Sequence, residues 1–289
     1  AIISIFSNGA NEFTFMTMAK DLEPSYNRIN LKGRLAWGGE MMGLHNFLKL
    51  KDRTYLFLYN YQQKTKSEGI SALEFFPDEL EFSETPVDLF LSSKTIRIKA
   101  KYPTMNQLMR PAEQVALSRF SSSHGLFVSE DKTKFMCTYE LVETDMKEGF
   151  EREKIGLYVF DQDLKKLWGG EYTMLYAKDR MESIDYVMGN DGKAYFLIRV
   201  HNKSLKKEEV NGVPDFHYEI AVYEKGEPAP EIIPLNLDRN YVKGFEFREA
   251  ADHKIVFGGM VGTYPDKKMN GLFVVKMNIS KDSFGRVGK

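Results

Sequence analysis

The chain has 289 residues, and its 40 Lys and Arg against 41 Asp and Glu give a formal net charge of −1. This balance excludes the strongly basic composition that is typical of nucleic-acid-binding proteins, so we expect no nucleic-acid partner. Hydrophobic residues make up 43% and aromatic residues 13% of the chain, which is enough to bury a large core and excludes global disorder.

The sequence contains no sign of a membrane span. No uncharged apolar run reaches the roughly 18 to 20 residues that a spanning helix needs. The opening residues, AIISIFSNGANEF, lack the basic start and long apolar middle of an intact signal peptide. The apolar opening without an initiator Met favours a processed or incomplete chain. A single cysteine excludes an internal disulfide, but export remains open because many exported proteins carry no disulfides.

Four segments repeat the same order of strand and turn signals. A first strand, a, leads through a tight polar turn into the most apolar strand, b, in FLKLKDRTYLFLYNY, LFVSEDKTKFMCTYEL, DYVMGNDGKAYFLIRV and FEFREAADHKIVFGGMV. Asp, Asn and Gly in these turns favour hairpins. Strand c returns as ISALEFF, IGLYVFD, YEIAVYE and NGLFVVKM, and a strand d follows in the first three segments. Two-residue alternation predicts strands rather than helices throughout.

The spacing of these segments predicts the architecture. Strand b begins at Thr54, Lys134, Lys193 and Lys254, in steps of 80, 59 and 61 residues, and an extra segment near Ser93 to Gln114 lengthens the first step. Such a period is typical of β-propeller blades. We therefore predict an all-β fold, a β-propeller of about five blades of four antiparallel strands, or a segment of a larger propeller. A generic all-β sandwich is the alternative.

The two ends of the chain fit the same repeat. EFTFMTMAKDLEPSYNRINL predicts strands c and d, and the last unit, GLFVVKMNISKDSFGRVGK, ends before a convincing strand d. The first strands therefore either complete the last blade, or the chain is a segment of a larger protein. We expect residues 1–289 to form a single propeller domain, open to being incomplete at both ends.

Unequal loop lengths indicate where a binding site lies. The a–b and c–d turns are short, whereas the b–c connections are long and polar, so we expect recognition on the long-loop face. Solvated insertions without a function are the alternative. The candidate binding residues in these connections combine aromatic, cationic and histidine side chains: Tyr61, Lys64, Lys66, His201, Lys203, Tyr264 and Lys267.

The extra segment contains a basic stripe. In SSKTIRIKAKYPTMNQLMRPAEQ, alternation places Arg97, Lys99 and Lys101 on one side of a strand, with Tyr102 next to them. We expect this stripe to suit an anionic glycan, a phosphate-bearing surface or an acidic partner. The alternative is that the lysines protect an exposed edge strand from aggregation.

No motif for a metal, a cofactor or a nucleophile stands out. The five histidines are scattered, and no H-E-x-x-H, P-loop, G-x-S-x-G or G-x-G-x-x-G is present, so we predict no metal, no cofactor and no catalytic residue. A propeller glycosidase would need carboxylates that converge on the central channel, and Asp145, Asp185 and Glu246 are possible contributors. Nothing in the sequence distinguishes these three from other acidic residues.

Four further residues receive structural interpretations. We expect Cys137 to be a buried, inert thiol in strand b. Asp161 and Asp163 in FDQDL lack the further ligands of a calcium loop and are interpreted as turn formers. Trp168 falls in strand d and is expected to pack between blades.

Two resemblances bear on function. HKIVFGGMVGTYPDKKMNGLFVVKM, with its Gly258-Gly259 pair, resembles a kelch unit. The order GLYVFDQDLKKLWGGEYTM, DYVMGNDGKAYFLIRVHNK, NGLFVVKMNI is similar to propeller-like proteins of the Bacteroidota cell envelope, over about Leu44 to Ile279. This resemblance implies an exported or surface-associated scaffold in a multiprotein assembly and carries over no catalytic residue. It also implies that the 289 residues can belong to a longer parent chain.

Together these features predict a non-enzymatic propeller scaffold or binding module in the bacterial cell envelope, periplasmic or at the cell surface. It would recognise a partner protein or a surface glycan through its long-loop face. The second hypothesis is a carbohydrate-active propeller enzyme, a glycoside hydrolase or lyase that uses channel carboxylates. The third is an intracellular kelch-like adaptor.

Overall fold

A computed structural model gives the architecture of the chain as antiparallel β-sheets. The described residues are 2–9, 12–18, 24–30, 41–62, 64–65, 67–79, 81–93, 96–97, 125–141, 152–203, 209–210, 213–235, 237, 241–250, 254–263 and 268–278. Every regular element in these ranges is a strand. No helix in the described ranges is long and apolar enough to cross a membrane.

The chain divides into two compact units, Ala1–Phe120 and Ser121–Lys289. The first unit contains two sheets and a short strand, β9 (Ile96–Arg97). Sheet 1 consists of β1 (Ile2–Gly9), β2 (Glu12–Met18) and β3 (Pro24–Asn30), paired in that order. Sheet 2 consists of β4 (Met41–Leu50), β5 (Arg53–Gln62), β6 (Ser67–Phe76), β7 (Glu81–Phe82) and β8 (Val87–Ser92), and β7 and β8 both pair with β6.

The second unit contains three larger sheets and a small ribbon. Sheet 3 consists of β10 (Leu126–Val128), β11 (Lys134–Leu141), β12 (Arg152–Asp161) and β13 (Lys166–Ala177). Sheet 4 consists of β14 (Met181–Met188), β15 (Ala194–His201), β18 (Phe216–Tyr223) and β19 (Glu231–Leu235), and the ribbon β16 (Glu209–Val210) and β17 (Val213–Pro214) lies between β15 and β18 in sequence. Sheet 5 consists of β20 (Tyr241–Glu249), β21 (Lys254–Thr263) and β22 (Lys268–Asn278).

The strand order in sheets 3 and 4 is that of propeller blades. Neighbouring strands pair in chain order, β10-β11-β12-β13 and β14-β15-β18-β19, and all the pairs are antiparallel. The second strand of each sheet is almost wholly buried, because it has a strand on both sides and a packed sheet face. The fold class is all-β, and the four-stranded antiparallel sheets are those of a β-propeller, as predicted.

An apolar layer packs sheet 3 against sheet 4. Leu157 and Val159 from β12 lie with Phe196 and Ile198 from β15 in one buried cluster. Trp168 belongs to this cluster, and its indole Nε1 donates a hydrogen bond of 2.9 Å to the carbonyl oxygen of Gly192 in sheet 4's first turn. The expectation that Trp168 packs between blades is therefore confirmed.

Hydrogen bonds near the a–b turns link sheet 3 to sheet 4 and sheet 4 to sheet 5. The backbone N–H of Asp131 donates to Oδ1 of Asn190 at 3.0 Å, and the backbone N–H of Asn190 donates to Oε2 of Glu249 at 2.6 Å. Asp131 and Asn190 lie in the a–b turns of sheets 3 and 4, whereas Glu249 ends β20, so the two bonds link successive sheets near their turns but not at equivalent positions of the repeat.

Some connections differ from those expected from sequence. The β5–β6 connection was expected to be long from Tyr61 onward, but β5 continues to Gln62 and β6 begins at Ser67. Strand pairing extends into this polar stretch because Tyr61 and Gln62 form ladder partners with Glu68 and Ser67. At the start of the chain, β2 and β3 match the predicted strands c and d, and β1 adds a strand before them.

Candidate active site on the first strands of sheets 4 and 5

The first strands of three successive sheets lie side by side in the second unit. The strand β14 contacts β10 on one side and β20 on the other. Residues on these first strands are the ones that a propeller presents to its central channel. A reactive group on one first strand is therefore within reach of groups on its neighbours.

Both β14 and β20 carry a β-bulge next to a carboxylate. The register of β14 against β15 shifts between Ser183 and Asp185, and the register of β20 against β21 shifts between Lys243 and Glu246. An extra residue at a bulge re-aims the side chains beside it. In β14 the backbone N–H of Tyr186 donates a hydrogen bond of 2.8 Å to Oδ1 of Asp185, next to the bulge.

The two carboxyl groups have different surroundings. Asp185 is half-buried, and this burial, together with the negative charge of Glu246, raises the pKa of Asp185 above its ordinary value, against the opposing hydrogen bond from Tyr186. The Glu246 side chain is 68% exposed, and Arg248 Nη1 lies 3.9 Å from its Oε1. Asp185 therefore keeps its proton to a higher pH than a free aspartate does, whereas the Glu246 carboxyl group faces solvent.

The same local structure occurs in the first unit. The register of β4 against β5 shifts between Leu44 and Asn46, and Oδ1 of Asn46 accepts a 2.7 Å hydrogen bond from the backbone N–H of Phe47. A polar residue at a β-bulge therefore recurs in the first strands of sheets 2, 4 and 5. In all three strands an aromatic residue directly follows the polar residue at the bulge, in Asn46-Phe47, Asp185-Tyr186 and Glu246-Phe247.

Two other interpretations from sequence, those of Cys137 and Asp161, are confirmed by the described residues. The Cys137 thiol is 2% exposed and burial raises its pKa, so it is an unreactive core residue. Asp161 Oδ1 accepts the backbone N–H groups of Asp163 and Lys165, each at 2.9 Å, so it forms a turn as expected. Within the described ranges no group of three His, Cys, Asp or Glu side chains is placed to hold a metal ion.

The residues predicted to bind a partner are dispersed among different kinds of position. Lys64 lies in an exposed turn, Lys203 is exposed after β15, Tyr61 lies within β5, and Arg97 lies within β9. Except for His201, the remaining predicted residues lie outside the described residues, as does one candidate carboxylate: Lys66, Lys99, Lys101, Tyr102, Tyr264, Lys267 and Asp145.

His201 differs from its predicted role. It was placed in an exposed loop, but it ends β15 and is only 1% exposed. Its backbone N–H donates to the carbonyl oxygen of Arg180 at 2.7 Å, and Arg180 Nε donates back to the His201 carbonyl oxygen at 3.0 Å. Its ring packs on Phe216 with centroids 5.4 Å apart. These contacts hold the imidazole in the interior, where it cannot meet a large partner.

Comparison with known proteins gives structural neighbours only. No protein-family model and no curated protein matches the chain. An endo-arabinase from Bacteroides thetaiotaomicron is 14% identical, with 98% of this chain and 95% of that chain covered and a TM-score of 0.36. An α-L-arabinanase from Penicillium chrysogenum, complexed with arabinobiose, is 11% identical, with coverages of 92% and 75% and a TM-score of 0.40. An acylaminoacyl peptidase from Pyrococcus horikoshii is 10% identical over 90% of this chain, which spans only 34% of that protein, with a TM-score of 0.39.

These neighbours contradict the prediction of a non-enzymatic scaffold, since the proteins named are enzymes. At identities of 10 to 14% the likeness concerns the fold, so the choice of reaction has to come from the side chains of this chain.

Proposed function

We propose that the chain is a carbohydrate-active hydrolase whose catalytic residues are Asp185 and Glu246. The observation that supports this proposal is the pairing of the two carboxyl groups on adjacent first strands, each at a bulge, with one half-buried and the other exposed. Hydrolysis of a glycosidic bond needs such a pair, because one carboxyl group must donate a proton while the other is ionised.

The roles of the two residues follow from their surroundings. Asp185, whose pKa is raised by burial and by the charge of Glu246, donates its proton to the glycosidic oxygen as the C–O bond breaks. Water adds its oxygen to the anomeric carbon and gives a proton to Glu246. Solvent then returns that proton to Asp185, so the enzyme is restored without a cofactor. The Tyr186 N–H holds the Asp185 carboxyl group in one orientation throughout.

The proposal is tested by measuring reducing ends released from a panel of polysaccharides: arabinan, xylan, galactan, levan and polygalacturonate. We expect the wild type to cleave at least one of them, and Asp185→Asn and Glu246→Gln each to lower kcat by about 100-fold or more, as is usual for loss of an acid or base. Glu231→Gln, on the exposed surface of β19, is the matched control and should leave kcat unchanged. No release from any member of the panel, or full activity of Asp185→Asn, would contradict the proposal.

We further propose that the protein works in the bacterial cell envelope, where polymeric glycans are accessible. The support is the resemblance of its repeat to envelope propellers. Fractionation of the source cells with an antibody to the chain tests this location, and recovery in the cytoplasmic fraction would refute it.

A further inference from the structure

A further carboxylate lies on the same face of sheet 4 as Asp185. Glu182 and Asp185 both belong to β14, and their ladder partners on β15 are Arg199 and Leu197. Leu197 packs in a buried cluster with Phe247 of sheet 5, and Arg199, two residues further along β15, is on the same face. Glu182 and Asp185 therefore both project from the sheet-5 face of sheet 4.

The Glu182 carboxylate is held from one side by a guanidinium group. Arg199 Nη2 donates a hydrogen bond to Oε2 of Glu182, and the guanidinium carbon of Arg199 lies 5.0 Å from the centroid of the Phe216 ring. The Arg199 side chain is 19% exposed, whereas the Glu182 side chain is 45% exposed. The carboxylate and the aromatic ring fix the cation on the sheet, and the carboxylate is the member of the ion pair that faces solvent.

The exposed carboxylate selects for groups that donate hydrogen bonds. An ionised carboxylate only accepts, at about four lone-pair sites on its two oxygens, and the bond from Arg199 uses one of them. A sugar hydroxyl group can donate to the remaining sites. The carboxylate of an acidic sugar cannot, because it has no donor and carries the same charge as Glu182.

An ion pair of sheet 3 shows the reverse arrangement. Glu140 pairs with Lys178 at 3.0 Å between Oε1 and Nζ, but there the carboxylate side chain is 4% exposed and the lysine side chain is 55% exposed. That pair presents its cation to solvent, as a surface ion pair over a buried acid commonly does. The Glu182 pair differs because its cation lies against the sheet and its acceptor lies outward.

The separation of Glu182 and Asp185 suits one sugar unit. Their partners on β15 are two residues apart, so the two side chains emerge about 7 Å apart along the strand. A sugar ring whose glycosidic oxygen meets Asp185 can therefore place the hydroxyl groups on its other side within hydrogen-bonding distance of Glu182.

We propose that Glu182 binds hydroxyl groups of the sugar unit whose glycosidic oxygen Asp185 protonates, with Arg199 as its positioning residue, and that the substrate is a neutral glycan. This inference rests on the proposed function. A polymer of uronic acid units would bring further negative charge beside Glu182 and Glu246, and like charges placed together select against that partner.

The test measures binding separately from cleavage. Calorimetric titrations use the inactive Asp185→Asn protein with arabinobiose, xylobiose, galactobiose and digalacturonate. We expect at least one neutral disaccharide to bind more tightly than digalacturonate, and Glu182→Ala in that background to weaken its binding about 10-fold. Arg199→Ala should weaken binding less, and the double variant should bind as Glu182→Ala does, because Arg199 acts through Glu182. Glu231→Ala, an exposed carboxylate on β19, is the control and should bind as the parent does.

Kinetics of the active protein separate a binding role from a role in proton transfer. Glu182→Gln keeps an amide oxygen as an acceptor, so it should raise KM for the cleaved polysaccharide and change kcat little. The pH dependence that Asp185 gives to kcat should stay the same, because the charge that raises the pKa of Asp185 is that of Glu246. A pH profile that moves in Glu182→Gln would contradict a role confined to binding.

Folding is followed in the same variants by thermal denaturation, and Glu182→Gln replaces Glu182→Ala in the titrations if the alanine variant does not fold. A purely structural ion pair predicts a lower melting temperature with unchanged disaccharide affinity. That result, tighter binding of digalacturonate than of every neutral disaccharide, or no binding of any of the four would overturn the inference. Neutral disaccharide binding that depends on Glu182 in a protein that cleaves no glycan would refute the catalytic proposal alone and leave the binding role standing.

Discussion

Replacement of Glu249 by alanine tests whether the hydrogen bond between Asn190 and Glu249 stabilises the second unit. The Glu249 side chain is buried, with the residue 3% exposed, and its Oε2 accepts the Asn190 backbone N–H at 2.6 Å. Alanine removes the acceptor of the Asn190 N–H. This N–H lies in a half-buried turn and then has to donate its hydrogen bond to water. The bond between the a–b turn of sheet 4 and sheet 5 is then lost.

The expected cost follows from the charge of the acceptor. Hydrogen bonds to charged groups contribute about 1.5 to 3 kcal/mol, so we expect Glu249→Ala to lower the free energy of unfolding by about 2 kcal/mol. A loss of that size lowers Tm by roughly 4 to 8 °C in a chain of this size class. Glu249→Gln keeps a neutral acceptor and should cost about 1 kcal/mol, close to half as much.

Thermal and urea denaturation followed by circular dichroism measure both variants, and amide hydrogen exchange at Asn190 locates the effect. Glu231→Ala, on the exposed side of β19, is the control and should change the free energy of unfolding by less than about 0.5 kcal/mol. A Glu249→Ala protein with the wild-type Tm, or one no less stable than Glu249→Gln, would refute the reasoning. Unchanged exchange at Asn190 would do the same.

Three further outcomes are expected. Gly156→Ala should destabilise the fold by about 1 to 3 kcal/mol, because a Cβ at this position would lie 2.0 Å from Cζ of Tyr139. Gly170→Ala is the control and should be neutral, because a Cβ there would have nothing within 4 Å. Equal melting temperatures for the two variants would refute this prediction. Folding raises the pKa of Asp185 above 3.8, so ionisation of Asp185 lowers the stability of the folded protein as the pH rises. Asp185→Asn removes this cost and should stabilise the protein at pH 8 but not at pH 3. A Tm difference between the two proteins that is the same at every pH would count against this reasoning. The buried Cys137 thiol should react with a thiol reagent only after unfolding, and rapid labelling of the native protein would contradict its burial.

The repeat was predictable because its strongest signal is local. Strand b was expected to begin at Thr54, Lys134, Lys193 and Lys254, and β5, β11, β15 and β21 begin within one residue of those positions. β5, β11 and β15 are buried along most of their length, so their continuous apolar character is a signal that each strand carries by itself. The turns that precede them are equally local, since their Asp, Asn and Gly residues favour a hairpin wherever they occur.

The carboxyl pair was not predictable to the same degree. The sequence named Asp185 and Glu246 among the possible channel residues. What sets them apart from other acidic residues is the β-bulge beside each one, and a bulge depends on the register between two strands, which neither strand shows alone. The raised pKa of Asp185 depends on burial and on a charge that lies 61 residues away in the sequence. Both effects exist only once sheets 4 and 5 are packed.

The two histidines at the ends of the β15–β18 connection show where the sequence interpretation was wrong. His201 was assigned to an exposed loop because it precedes a polar stretch, yet its backbone exchanges hydrogen bonds with Arg180 and its ring is interior. His217, at the other end of the same connection, has the exposed ring and the oriented partner Glu219. Sequence identified the region but not which histidine faces outward, because that depends on strand register.

The most direct test of the proposed function compares wild type and Asp185→Asn on the polysaccharide panel, with kcat measured across pH. The account predicts cleavage by the wild type with activity falling at high pH as Asp185 loses its proton, and a loss of about 100-fold with no such alkaline limb in Asp185→Asn. Cleavage that Asp185→Asn retains in full, or a wild type that cleaves no glycan of the panel, would contradict it.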